Sequence, residues 1–220
     1  MARIFVFGGG GHARVVMDVI SSRAEHEIVG IVDSFRAKGT EVAGHPILGS
    51  EDDVEELSAA HGVQMGIVAV GDNWERFEVT RAIEGRLPGF GWVRAIHARA
   101  WVAASSEIGA GSVVMAGAVV NPGCEIGPAC IVNTASSLDH DGTMGRFSSL
   151  APGAHVGGGV RIGEFSSICL GASVIHSVEV GAHAVVGAGA TVLEDVPERV
   201  VAYGSPARVV RSRGEGEPYL

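Results

Sequence analysis

The chain is poor in positive charge. Lys38 is its only lysine, fifteen scattered arginines complete the cations, and the net charge is −9 over 220 residues. That balance gives no electrostatic footprint for a nucleic acid and no polybasic patch for a membrane surface. Long apolar runs are missing too: no stretch of about 18 residues reads as a transmembrane helix. The N-terminus lacks the cleavage pattern of a signal peptide and reads as a first strand. Cysteine is scarce. Cys124, Cys130 and Cys169 are odd in number and show no C-x-x-C spacing, so they read as reduced thiols of a cytoplasmic protein, not a disulfide frame or a zinc site. Eight prolines are too few for collagen.

What the chain has in excess is glycine, 33 residues, about twice the usual ~7%. Apolar residues are plentiful at 46%, which excludes a disordered chain. The glycines therefore belong to a folded protein that uses small residues at fixed backbone positions.

A six-residue repeat explains many of them. Stepping by six from Val102 to Val192 meets sixteen aliphatic residues or methionine without one insertion. A period of six is neither a 3.6-residue helix nor a two-residue alternation. It fits a short strand and a tight turn, with one aliphatic per unit pointing inward. Three units make a triangular coil of eighteen residues, and coils stack by strand pairing at ~4.8 Å. Glycine or asparagine often follows the aliphatic, as at Gly109, Asn121, Gly127 and Gly145, and is expected to supply the positive φ of the corners.

The first hundred residues differ. Residues 3–7 form a short apolar strand, followed at once by Gly8-Gly9-Gly10-Gly11-His12 and a helical stretch over 13–22. Such a turn can face a phosphate with backbone N–H groups. A second strand over 28–32 ends in Asp33, a carboxylate able to accept from a ribose or base, and a third over 66–70 leads to Gly71-Asp72-Asn73. Helical stretches near 50–60 and 74–84 lie between, giving a small Rossmann-like α/β unit with parallel strands. Gly8-x-Gly10-x-x-Ala13 also fits a dinucleotide fingerprint. Only ~95 residues precede the repeat, which leaves no second mononucleotide half. Three readings stand: a sugar-nucleotide site, an NAD site and a structural unit. The expected domains are 1–97, 98–208 and a tail over 209–220. His97 belongs to the bridge and is expected to be structural.

One segment breaks the small-residue habit. Leu138 keeps the inward register, and His140 follows it between Asp139 and Asp141. An imidazole beside a carboxylate is a general-base arrangement, and a corner histidine with solvated acids fits the spacing equally well. Eighteen residues on lies Gly158, where a missing side chain would leave room for a substrate and bare an N–H for a thioester or oxyanion. His155, His176 and His183 do not recur at eighteen and read as surface or subunit-contact residues, so no metal site is expected.

The repeat resembles the hexapeptide-repeat acyltransferases, which fold as a left-handed parallel β-helix. The ordered set Gly8–His12, Val70–Asn73, Ile96-His97, Asn133-Thr134, Asp139–Asp141, Leu150–Ala154 and Gly204–Ala207 is similar to the bacterial sugar O- and N-acetyltransferases. It is most similar to the nucleotide-amino-sugar N-acetyltransferases of the UDP-bacillosamine and GDP-perosamine type. The resemblance implies His140 as catalytic base and Asp141 as the acid that raises its basicity, with direct transfer from acetyl-CoA and no metal. It assigns acetyl-CoA contacts to Ser149, Gly158, Leu170 and Ala188, with serine standing at 149 where some relatives have histidine. It assigns the nucleotide-linked amino sugar to Gly10, Gly11, His12 and Asp33, with Asp72, Asn73 and Asn133 as neighbours. Ser34 stands where some relatives carry a second acid, so uracil and guanine both stay open. The family also implies a homotrimer. Transfer to a hydroxyl of sialic acid or another sugar, and a non-catalytic trimeric binding module, are the alternatives.

Overall fold

The computed structural model describes residues 1–218. The chain opens with strand β1 (Ala2–Phe7) and runs through helix α1 (Gly11–Arg23), β2 (His26–Val32), β3 (Glu41–Val42), β4 (His45–Gly49), α2 (Val54–His61), β5 (Met65–Val68), α3 (Asn73–Arg86) and β6 (Gly91–Trp92). The sheet order is β3-β4-β2-β1-β5-β6, with β2 and β5 both parallel to β1. β1 is fully buried from Ile4 to Phe7, as a strand covered on both faces should be, and its apolar run needs no alternation. α1 presents Ala13, Val16, Met17 and Ile20 on one face, the helical spacing of an apolar stripe. The three expected helices and three parallel strands are present within a few residues. Among the described residues this sheet ends at β6.

From Ala95 to Val192 the chain is a parallel β-helix. Two-residue strands form three parallel sheets, and each pairs with the strand eighteen residues on, as Val113 with Ile131, Val119 with Ser137 and Glu125 with Thr143. The first face holds the strands starting at Ala95, Val113, Ile131, Ser149, Ser167 and Val185. The second runs from Trp101 to Thr191 and the third from Glu107 to Glu179. The aliphatic of each hexad points inward. So does a small residue two places earlier, among them Ala118, Cys124, Cys130, Ala154 and Ala172. Cys124 and Cys130 are thus core residues, and all three cysteines are free.

The glycines divide differently from expectation. Positive φ falls three places after the aliphatic, at Gly111, Gly117, Gly123, Gly153, Gly159, Gly171 and Gly189, with Ala129, Ala135 and Asp141 in the same register. The glycines immediately after the aliphatic do not adopt it. They are small because the next coil lies on them: a β-carbon at Gly145 would stand 2.5 Å from the Glu164 nitrogen, and one at Gly157 2.7 Å from that of His176.

The first face carries the N-terminal domain. Val113, Met115 and Ile131 share a core with α1 and β1. The edge between third and first faces stacks Phe147 on Phe165 and Phe165 on His183, at centroid separations of 5.4 and 4.7 Å, against Trp74 and Phe77 of α3. His183 is therefore buried, not a surface residue, and burial lowers its pKa. The expected boundary at 208 falls inside an antiparallel hairpin of Val200–Gly204 with Ala207–Ser212. Beyond it Arg213 is buried and donates to the His183 carbonyl, which ties the tail to the same edge.

Candidate active site

The α/β domain holds a cleft of about 760 Å³ at the carboxyl ends of β1 and β5. This is where parallel sheets bind ligands, because strand order reverses there and the loops part. Gly8 to His12, Asp33, Phe35, Arg36, Glu51 and Gly71 line it. A side chain at Gly10 or Gly11 would meet nothing within 4 Å, so the loop's backbone is open to a ligand. Gly10 caps α1 without a side-chain acceptor, which leaves the first-turn N–H groups for an anion. His12 sits beneath the loop. Burial, and secondarily the charge of Arg76, push its pKa down to about 4, so it is neutral at pH 7. Its Nε2 is buried with no partner among the described residues.

Asp33 lines the same cleft. Its Oδ2 accepts from Gly9 N at 2.5 Å, and its Oδ1 accepts from Phe35 N at 2.8 Å and Arg36 N at 2.9 Å. It fastens the glycine loop to the turn after β2 and lines the cleft with three of its acceptor sites in use.

Asp72 and Asn73 do not line that cleft. Asp72 caps α3, its Oδ1 accepting from Trp74 N and Glu75 N. Asn73 points into the β-helix, donating to Ser167 Oγ at 2.8 Å and accepting from Arg76 Nη2 at 2.7 Å. Ser167 Oγ in turn lies 3.2 Å from Ser149 Oγ. Ser149 is thus enclosed between the domains. Arg76, also buried, donates to the carbonyls of Ala129, Phe147, Val70 and Gly71. These polar groups bolt α3 to the first face.

His140 stands elsewhere, on the edge between second and third faces, opposite the first. Its Nδ1 is 2.9 Å from Asp141 Oδ2. Asp141 holds the αL corner with φ 59°, and its carboxylate lies over Gly123, where a β-carbon would come within 2.5 Å of Oδ1. Asp139 instead accepts from His140 N and from Asn121 Nδ2, both at 2.8 Å, and so shapes the corner. The His140 pKa is raised, first by the hydrogen bond to Asp141 and then by the charge of Asp139. With Nδ1 held by Asp141, Nε2 is the atom left to take a proton. It reaches forward over Gly158 of the next coil, where a β-carbon would stand 2.5 Å from it. The space above Gly158 is therefore filled by the imidazole itself. The Gly158 N–H has no acceptor among the described residues.

Asn133, Leu170 and Ala188 lie on a third edge, between first and second faces. The Asn133 amide oxygen accepts from Thr134 N at 2.8 Å and closes its own corner. Leu170 and Ala188 are exposed and stack eighteen apart, with the Leu170 carbonyl taken by Gly189 N. One chain thus keeps cleft, dyad and this outer edge apart. Among the described residues no group of histidine, cysteine and acids is arranged to hold a metal, and no helix is long and apolar enough to cross a membrane.

Residues 3–83 match the family model described as the PglD N-terminal domain. PerB of Caulobacter crescentus, solved with CoA and GDP-perosamine, is 36% identical over 96% of this chain and 98% of that one, with a TM-score of 0.89. This chain belongs to the nucleotide-amino-sugar N-acetyltransferases, a family of left-handed β-helix enzymes. The acetyltransferase domain of PglB from Neisseria gonorrhoeae, solved with acetyl coenzyme A, is 37% identical over 94% of this chain and 98% of its own, with a TM-score of 0.86. A PerB variant with a single histidine replaced by asparagine, solved with the same two ligands, is 35% identical with a TM-score of 0.90. No curated protein sequence matches the chain.

Proposed function

We propose that the protein transfers an acetyl group from acetyl-CoA to the amine of a nucleotide-linked amino sugar, and that it does so as a homotrimer. The observation that carries this reading is the His140–Asp141 pair with Nε2 resting on Gly158. The sugar amine attacks the thioester carbonyl. A C–N bond forms, the carbonyl oxygen becomes an oxyanion, and the amine loses its proton to His140 Nε2. The Gly158 N–H is the donor for that oxygen. Collapse breaks the C–S bond, and the proton on His140 goes to the departing CoA sulfur. Asp141 stabilises the imidazolium in between. No acyl-enzyme forms.

The need for more than one copy follows from placement. The cleft belongs to the domain on the first face, whereas His140 stands on the opposite edge. A sugar held in one copy's cleft is therefore presented to His140 of another. Leu170 and Ala188, on a separate edge from His140, join the same acetyl-CoA only from a neighbouring copy. The exposed Trp101, Leu170, Ile175 and Leu193 on the second face and its flanking edges are the apolar surface such a contact would cover.

The test is release of CoA thiol over a panel of UDP-, GDP- and dTDP-linked amino sugars, with free sialic acid as the hydroxyl acceptor. His140→Ala should lose at least ~10²-fold in turnover, the scale of general-base loss, while acetyl-CoA binding and trimer mass persist. Turnover with hydroxyl sugars alone would replace this reading with O-transfer. A sedimentation mass of one chain at full activity would remove the shared site.

A further inference from the structure

The cleft's outer end carries groups that the transfer reaction does not use. Phe35 is 99% exposed at its rim, an aromatic face with no protein neighbour to cover it. Ser34 donates its hydroxyl to Glu51 Oε2, which anchors the Glu51 carboxylate at the mouth of the cleft. Asp33, the acid that would read a base or ribose here, has its oxygens occupied by three main-chain N–H groups. An ionised carboxylate offers about four lone-pair sites; three are taken at Asp33 and one, by Ser34, at Glu51, so Glu51 keeps the greater acceptor capacity of the two, while Glu75 and Glu78 line the cleft from α3. Arg36 lays its Cδ and Nε over Gly9, where a β-carbon would stand 2.8 and 3.1 Å from them, and so brings positive charge to the glycine loop.

We infer that this rim reads the nucleobase as guanine, with Phe35 stacking on its ring and the Glu51 carboxylate accepting from its Watson–Crick edge. The chemistry selects among bases. Guanine presents two adjacent donors, N1–H and the N2 amine, which match the two oxygens of one carboxylate. Uracil presents a single N3–H between two carbonyl oxygens, so the second carboxylate oxygen would face a lone pair. Adenine and cytosine each pair one donor with a ring acceptor and meet the same repulsion. Stacking is indifferent to base identity and adds affinity for all of them. The assignment rests on the reading of this cleft as a sugar-nucleotide site.

Calorimetric titration of the full chain with GDP, UDP and ADP tests it. GDP should bind at least ~10-fold more tightly than UDP, the lower range for a bidentate base contact. Glu51→Gln should collapse that ratio, because a carboxamide gives one donor and one acceptor and so complements uracil. Phe35→Ala should weaken GDP and UDP together and leave their ratio intact. Equal binding of GDP and UDP, or a ratio unmoved in Glu51→Gln, would overturn the guanine assignment and leave the cleft reading standing. No binding of any nucleoside diphosphate by a protein that still binds acetyl-CoA would overturn both.

Discussion

The His140 imidazole rests on Gly158, one coil further along the helix, so closely that a single added carbon would displace it. This relationship turns a glycine into a determinant of where the base stands. Gly158→Ala should leave the fold intact, because its φ is not among the positive ones and the clash is with the free end of an exposed side chain. The ring must then swing away from Nε2's present position. Misplacement of a reacting group by about 1 Å costs up to ~10²-fold. The expected result is a fall in kcat of at least ~10-fold at an unchanged Tm, measured by CoA release and by thermal melting.

Asp141 sets the pH range of the reaction. A base must be neutral to act, so the rate should rise with pH and level off above the His140 pKa. The bond to Asp141 is the first cause that holds this pKa above its ordinary value. Asp141→Asn removes that cause, and the acidic limb of the kcat profile should move to lower pH. The plateau should also drop, because an amide at this position no longer accepts reliably from Nδ1 and Nε2 loses its fixed role. A limb that stays in place or moves to higher pH would show that Asp141 does not govern His140.

The repeat was legible in the sequence from its spacing, and the roles of the glycine loop and the dyad from the resemblance. Eighteen residues separate His140 from Gly158 and Asp141 from Gly123, and the register of the coils turns both spacings into contacts. What spacing hides is which way a side chain faces across a domain boundary. Asp72 and Asn73 follow the third strand, as ligand residues do in such sheets, yet one caps α3 and the other reaches the β-helix. Ser149 lies on the first face, where the chain packs its N-terminal domain, and its hydroxyl meets Ser167 there. The burial of His183 did have a signal: Phe147, Phe165 and His183 recur at eighteen, which is a stacked column at one corner.

The domain bolt gives a prediction that separates structure from substrate binding. Asn73 is buried and joins Arg76 to Ser167. Asn73→Ala removes one acceptor of Arg76 Nη2, which keeps the Phe147 carbonyl, and one partner of Ser167 Oγ, which keeps Ser149 Oγ; losing these buried bonds should cost about 1–3 kcal/mol. Denaturant unfolding should show that loss. The KM for the sugar nucleotide should hold within about twofold if Asn73 does not touch it, where a twofold change is about 0.4 kcal/mol. Ser149→Ala should likewise leave the KM for acetyl-CoA unchanged. A several-fold rise in either KM at normal stability would return that residue to the site.

The two glycine registers of the β-helix should respond to the same substitution in different ways. Gly153 has φ +66° with nothing within 4 Å of an added β-carbon, so Gly153→Ala meets only the left-handed penalty of about 1–2 kcal/mol. The chain already accepts that penalty at Ala129 and Ala135, in the same register. Gly145 has no such φ, but an added carbon would lie 2.5 Å from the Glu164 nitrogen of the next coil. Backbone cannot swing aside as a side chain can, and shifting it separates two coils that hydrogen-bond along their length. Gly145→Ala should therefore cost more than Gly153→Ala, measured as the difference in unfolding free energy on one background. The reverse order would mean that corner conformation, and not the close approach of successive coils, fixes glycine after each inward aliphatic.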